Sequence, residues 1–330
     1  MDSSSLNLAR NLAGPSRQQI PSGPPGDDAL GKILGSATTR APGVCGELVQ
    51  GMLGEAYFLV TCPVDFFSRV QVQLFHDGPK DVPKFEVPDG CTKSEAALNA
   101  TLVYLGRSDL SAKLIINNPI PRSKGMGSSS ADVAATIAAT GLALGVELSP
   151  QAIAEIALGV EPTDGIMFPG IALFDHREGS MAETLGPAPP MEIVALDFGG
   201  TVDTLEFNAV DRRAKWRSIE AETRSALELV RTGLEQSDPA LVGRGSTISA
   251  LASQEVLPKP RLSAVNQFAQ EVGAVGVNVG HSGTIIGVLL DARQRRGKST
   301  FHQARKQFPE AEMVHHFRLL GGGVQRVQAP

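Results

Sequence analysis

The sequence predicts a mixed α+β fold. Strand-like and helix-like runs are interspersed without the regular alternation of a doubly wound sheet. Some runs carry the apolar/polar alternation of a half-buried strand, as in Val70-Gln71-Val72-Gln73-Leu74. A turn-rich stretch, Gly186-Pro187-Ala188-Pro189-Pro190, divides the chain into two mixed parts. A length of 330 residues allows one large domain or, more often, two.

Residues 1–37 read as a disordered extension, because Pro15 to Asp28 has little to bury and several breakers. From Arg40 the character changes. Glu47 to Gly54 holds Gly, Gln and small apolar residues, and Tyr57–Val60 and Val70–Leu74 read as strands. A helix is expected over Lys93–Leu105 and a short buried strand at Leu114–Ile116, ended by Pro119 and Pro121. An Ala-rich helix follows from about Ser129 to Leu144, with Gly145 as its stop, and Ser149-Pro150 opens another that runs to Leu158. In the second part Glu192–Asp197 reads as a strand. Helices are expected over Asp211–Thr232, Pro239–Ala252 and Ser263–Gly273, and strands over Gly276–Val279 and Thr284–Leu290 around a Gly-rich turn.

The composition excludes several classes. Hydrophobic residues make up 42% and charged residues 20%, with a net charge of −5 and an isoelectric point near 5.7. That balance offers no general attraction to nucleic acid or to an anionic membrane, and suits a small metabolite held by local groups. No apolar run approaches the length of a membrane span. No charged and apolar leader pattern reads as a secretory signal. Cys45, Cys62 and Cys91 form neither an even disulfide set nor a metal motif. The expectation is a cytoplasmic protein with reduced thiols and a small-molecule substrate; a homodimer is the assembly to consider.

The most informative segment is Pro119-Ile120-Pro121-Arg122-Ser123-Lys124-Gly125-Met126-Gly127-Ser128-Ser129-Ser130-Ala131-Asp132. It follows an apolar strand and opens the Ala-rich helix. Gly125 and Gly127 allow positive φ and close approach of backbone N–H groups to a ligand. Ser128, Ser129 and Ser130 supply hydroxyls and an N-cap, and the helix N-terminus adds donors and partial positive charge. Together these make an anion site suited to a triphosphate, to which Lys124 adds a formal charge. A Gly/Ser linker is the plainer alternative, and the strand–loop–helix context weighs against it. Gly26 to Lys32 spells a near P-loop, but Ile33 replaces the magnesium hydroxyl and no strand precedes it.

Glu161-Pro162-Thr163-Asp164 places two carboxylates three residues apart. Phosphoryl transfer needs a magnesium site and a group for the hydroxyl proton. Hard oxygens such as Glu161 and Ser128 suit magnesium, leaving Asp164 for the hydroxyl. From these residues alone, surface capping of a helix start fits as well.

At this point the chain resembles the GHMP kinases. Pro121-x-x-x-Gly125-Met126-Gly127-Ser128-Ser129-Ser130-Ala131 is similar to their second motif, Ala41–Leu48 sits where the first belongs, and Asn278–Thr284 where the third belongs. Within that family it resembles the group that phosphorylates L-threonine in cobalamin assembly. The shared runs are Cys45-Gly46-Glu47-Leu48-Val49-Gln50-Gly51, Cys62-Pro63-Val64-Asp65, Glu161–Asp164, Leu173–His176, Leu257–Pro260 and Gly280–Gly283. The resemblance implies a two-domain fold: an N-terminal ATP-binding domain over 38–185, like ribosomal protein S5 domain 2, and a ferredoxin-like domain over 186–325. It implies ATP and magnesium, with Ser128 and Glu161 on the metal and Asp164 on the substrate hydroxyl. It also implies a product, O-phospho-L-threonine; the alternatives are another small alcohol such as homoserine, or a non-catalytic nucleotide sensor. Val44 stands where some members carry a Lys, for which Arg40 or Lys124 are the available replacements.

Glu47 and Gln50 lie in a Gly-rich turn expected near the site; they bind a substrate ammonium and carboxylate, or only satisfy the turn. His281 lies in the third-motif turn near the expected phosphates and is a third candidate substrate-binding residue. His176, His315 and His316 read as structural or exposed, Cys45 and Cys62 as packing residues, and Arg293–Lys298 as a solvated connection or helix face.

Overall fold

The computed structural model describes residues 27–28, 31–76, 83–200 and 210–328. A twelve-stranded sheet organises them. Its spine is a long antiparallel hairpin, β2 (Gly31–Leu53) against β3 (Ala56–Phe75), turned at Gly54, whose φ of +62° is the left-handed conformation that glycine adopts without strain. The hairpin is bent by register shifts between Pro42 and Gly43 and between Val44 and Glu47. These bulges fall in the first motif and free its backbone from the ladder.

Six more strands complete the main path: β4 (Phe85–Glu86), β5 (Ser111–Asn117), β8 (Met191–Asp197), β9 (Gly276–Val279), β10 (Ile286–Asp291) and β11 (Met313–Arg318). The order is β11-β8-β10-β9-β2-β3-β5-β4. Off this path β1 (Asp27–Asp28) and β12 (Gln325–Val327) pair with β2, and β6 (Ile171–Phe174) pairs with β3 and with β7 (Ala182–Gly186). The two parts of the chain meet where Glu47 of β2 is registered against Val279 of β9.

Helices α1 (Thr92–Tyr104), α2 (Ser128–Ala143) and α3 (Pro150–Leu158) pack together, and α2 lies on β2 and β3. The α2 sequence is small and apolar on every side, which matches a helix buried on nearly its whole surface. Its threonines bond internally: Thr136 Oγ1 donates to Asp132 O at 2.7 Å and Thr140 Oγ1 to Thr136 O at 2.8 Å. Ser149 caps α3 by accepting from Ala152 N at 3.1 Å. The second part adds α4 (Arg213–Ser218), α5 (Glu220–Glu235), α6 (Pro239–Ala252), α7 (Leu262–Glu271) and α8 (Gly297–Gln307).

Several expectations are corrected. The helix expected over 211–232 is two helices that meet at Ile219. The two strands expected within 57–74 are one continuous β3, because the intervening residues, Thr61 to Arg69, stay paired with β2 through the bend of the hairpin. Residues 31–37 of the expected extension form the start of β2, pairing Ala37 with Val72; residues 1–26 and 29–30 lie outside the described residues. Strands β1, β4, β6, β7, β11 and β12 and helix α8 were not expected, and β1 lies within the stretch expected to be disordered.

Candidate active site

A cleft of about 410 Å³ opens where the first turn of α1, the N-terminus of α2, Glu161–Asp164 and the third-motif turn converge. Pro121, Gly125, Met126, Gly127, Ser128, Ser129 and Ser130 all line it. Gly125 and Gly127 have φ of +79° and +64°. The cap of α2 is the left-handed Gly127, not a serine; Ser128, Ser129 and Ser130 are its first helical residues. Their hydroxyls are therefore available for other partners, and their N–H groups stand at the helix N-terminus. Met126 is buried, and its carbonyl accepts from Val44 N at 3.0 Å, locking the second motif to the first.

The glycines are required by contact. A Cβ on Gly283 would lie 2.2 Å from the Gly125 backbone, and one on Gly127 would lie 2.9 Å from Asp164 Oδ2 and 3.2 Å from Val44 Cγ2. Thr284 N and Ile285 N both donate to Lys124 O, at 3.1 and 3.2 Å, so the third motif is stitched to the phosphate loop.

Lys124 departs from expectation. It is absent from the cleft wall; its ammonium pairs with Asp197 at 2.7 Å, reaches Glu312 at 3.3 Å and donates to Gly200 O at 3.0 Å. Asp197, followed by Glu312, holds its pKa above the ordinary lysine value. Arg40 also points elsewhere, donating to Gln325 Oε1 at 2.8 Å and lying 4.3 Å over the Phe67 ring. Neither replaces the missing first-motif lysine, and Val44 itself faces the cleft.

The acidic pair does face the loop. Ser129 Oγ donates to Glu161 Oε1, and Lys93 Nζ donates to Glu161 Oε2 at 2.5 Å. Ser128 is occupied differently: its hydroxyl donates to Ile120 O at 3.0 Å and accepts from Asn118 Nδ2 at 3.0 Å. The serine nearest the expected metal ligand Glu161 is thus Ser129, one residue beyond the expected Ser128. Asn118 also donates to Asp132 Oδ1 at 2.7 Å, which Ser68 Oγ bonds at 2.5 Å, so a buried network braces this turn. Among the described residues no cluster of three or more His, Cys, Asp or Glu could hold a metal. One carboxylate beside one hydroxyl suits magnesium shared with phosphate oxygens, and lacks the soft ligand set of zinc.

Asp164 N donates to the Ser130 hydroxyl at 3.2 Å. Burial, helped by the charge of Glu161 and opposed by the Ser130 hydrogen bond, raises the Asp164 carboxyl to about 6. Glu47 is buried on the same wall, and burial followed by the Asp164 charge pushes it well above the usual carboxylate range. Its Oε2 has no hydrogen-bond partner among the described residues.

Gln50 does not reach the cleft. Its Oε1 accepts from His281 Nδ1 at 2.8 Å, and its backbone N donates to Ser249 Oγ at 3.0 Å. His281 is on the wall, its ring 4.9 Å from that of His176 and stacked 5.8 Å from Trp216. Burial depresses both histidines, His176 to about 3 and His281 well below its ordinary value, so both are neutral at neutral pH. Cys45 and Cys62 are packing residues; burial pushes the Cys45 thiol up to about 12.

Sequence reasoning missed Lys93, Arg122 and His176 on the cleft wall, and Asn118, which holds Ser128 from behind it. His176, expected to be structural or exposed, is buried in the cleft wall. Lys93 opens a helix 68 residues from Glu161, so no local pattern signals the pair. Arg122 stood inside the second motif and was the one legible signal.

The family model for the GHMP kinases N terminal domain matches residues 94–169. An L-threonine kinase of Salmonella typhimurium is 31% identical over 297 residues, covering 88% of this chain and 95% of the relative. A homoserine kinase of Pyrobaculum neutrophilum is 25% identical over 263 residues, covering 73% of this chain and 85% of that one. Among solved structures, homoserine kinase from Cytophaga hutchinsonii matches with a TM-score of 0.65 at 17% identity, covering 88% of this chain and 97% of its own. Mevalonate kinase from L. major matches with a TM-score of 0.66 at 14% identity, covering 93% and 100%. The described residues include no helix long and apolar enough to cross a membrane.

Proposed function

Since this chain belongs to the GHMP kinases, ATP-dependent phosphotransferases of small molecules, we propose that it phosphorylates the side-chain hydroxyl of L-threonine. The product is O-phospho-L-threonine, destined for cobalamin assembly. The observation that carries the chemistry is the Asp164 carboxylate held against the phosphate loop at Gly127, beside Glu161. The choice of L-threonine is supported by the 31% identical relative that the chain covers almost end to end.

The backbone N–H groups of Gly125 to Ser130 and the α2 N-terminus bind the triphosphate. Magnesium, when bound, neutralises phosphate charge, and Glu161 with the Ser129 hydroxyl are the residues that would hold it. Lys93, already on Glu161, adds a positive charge at the same edge. Asp164 orients the acceptor hydroxyl and takes its proton as the hydroxyl oxygen bonds to the γ-phosphorus. The bond to the β–γ bridging oxygen breaks and ADP leaves. Val44 in place of a lysine leaves Asp164 to act by position and by its raised pKa. No covalent enzyme intermediate is needed; positioning and charge stabilisation carry the rate.

A homoserine kinase is the second reading, favoured by the homoserine kinases among the relatives and the similar folds. The test is ADP release from MgATP against L-threonine, D-threonine, L-serine, L-homoserine and mevalonate. Turnover greatest with L-threonine is expected. Greatest turnover with L-homoserine installs the second reading. ATP binding without turnover on any alcohol discards the kinase assignment in favour of a nucleotide sensor.

A further inference from the structure

The wall of the cleft that Asp164 lines carries a buried carboxyl group with an unpartnered oxygen. Glu47 is 4% exposed, yet its Oε2 meets no donor among the described residues. No lysine or arginine of the described residues pairs with it: Lys93 is on Glu161, Lys124 on Asp197, and Arg40 on Gln325. The neighbouring imidazoles, His176 and His281, are neutral and give no compensating charge. A carboxylate buried in this way is costly unless a donor or a cation arrives. Glu47 is not stranded in packed core, because it lines the same cleft as Asp164. It is held there by β2, whose register shift between Val44 and Glu47 turns the strand at this point.

We propose that Glu47 is the ammonium-recognising group of this kinase, so that its acceptor is an alcohol carrying a protonated amine next to the reacting hydroxyl. The inference rests on the kinase reading above and deepens it. Two carboxyl groups lining one cleft and near enough for their charges to interact match a vicinal amino alcohol, with the hydroxyl on Asp164 and the ammonium on Glu47. An ammonium brings three N–H donors and the opposite charge, which satisfies the buried oxygen and forms a charge-assisted hydrogen bond. An alcohol without the amine leaves Glu47 unsatisfied, and a site built around a buried polar partner rejects such an analogue strongly.

The experiment compares kcat/KM for L-threonine and for 3-hydroxybutyrate, which lacks only the amine, in the wild type and in Glu47→Gln. The wild type is expected to prefer L-threonine, and the isosteric variant to shrink that preference about 10- to 100-fold, the worth of one hydrogen bond between charged groups. A parallel fall on both substrates, with the ratio kept, assigns Glu47 to structure and overturns the proposal while leaving the kinase reading intact. A wild type that turns over mevalonate and neither of these compounds overturns the kinase reading for L-threonine itself. If Glu47→Gln does not fold, the wild type decides alone through two competitors of L-threonine. Inhibition by 1-amino-2-propanol, which keeps the ammonium and lacks the carboxylate, stronger than by 3-hydroxybutyrate supports the proposal; the reverse order sinks it.

Discussion

Asp164 combines two properties that conflict in an ordinary surface carboxylate. It is buried deeply enough to be raised to about 6, yet it remains mostly ionised at neutral pH and ready to accept a proton. We expect kcat/KM to lose activity on the acid side through a limb near pH 6. Asp164→Asn should lower turnover by about 10²- to 10⁴-fold, the usual range for a lost general base. The same pKa carries a stability consequence. The folded-state value lies above the ordinary 3.8, so the folded protein holds this proton more tightly than the unfolded chain. Its stabilising contribution is complete below pH 4 and is lost as pH rises through about 6. Above that, the buried charge costs on the order of 1–3 kcal/mol. Asp164→Asn should therefore melt higher than the wild type at pH 8, with the difference vanishing below pH 4. Equal melting temperatures at pH 8 would show that the carboxylate is not desolvated. Such a gain in stability on loss of a reactive group is expected of an active site.

At the scale of elements, the site is made by three turns held in mutual contact. The phosphate loop and the third-motif turn touch glycine to glycine, and the first motif is fastened to both through Met126 O and through Asn278 Nδ2, which donates to Cys45 O at 2.5 Å. Backbone-to-backbone contact leaves no rotamer change to relieve an added methyl group. Gly283→Ala should displace the phosphate loop at an overpacking cost of about 1–3 kcal/mol. If that cost falls on the nucleotide-bound geometry, the KM for ATP rises about 5- to 150-fold. Steady-state kinetics at saturating acceptor measures it, and an unaltered KM would mean that the two turns are not mechanically coupled.

Across the whole molecule, one sheet runs through both parts of the chain, and the cleft sits where they meet at Glu47 and Val279. Lys124 is a tie between them. Its ammonium leaves the phosphate loop and pairs with Asp197 at the end of β8, a carboxylate 1% exposed and also bonded at 2.5 Å by Thr284 Oγ1. Removing the cation leaves a buried charge uncompensated. Lys124→Met should lower stability by about 1–3 kcal/mol, read in denaturant unfolding. Its KM for ATP should change much less than that of Gly283→Ala. A large rise in KM with stability kept would restore Lys124 to the phosphates.

The sequence by itself determined the α+β class and the strand–loop–helix of the second motif; the carboxylate pair was legible as a pair, but that it faces the loop was not decided by its residues alone. These are local properties. Glycine at 125 and 127 encodes a backbone path, and small apolar residues encode a helix buried all round. Only the tertiary structure decided where the charged side chains point. Lys124 follows Asp197, 73 residues on by position, and Gln50 is taken by His281, 231 residues away. Ser129 rather than Ser128 meets Glu161, because Asn118 and Ile120 O claim the other hydroxyl. A long side chain goes to whatever charge or donor the sheet topology brings within about 3 Å. That partner lies on another element, beyond the reach of any local pattern. The same topology buried Glu47 on the cleft wall that Asp164 lines and left one of its carboxyl oxygens without a donor among the described residues.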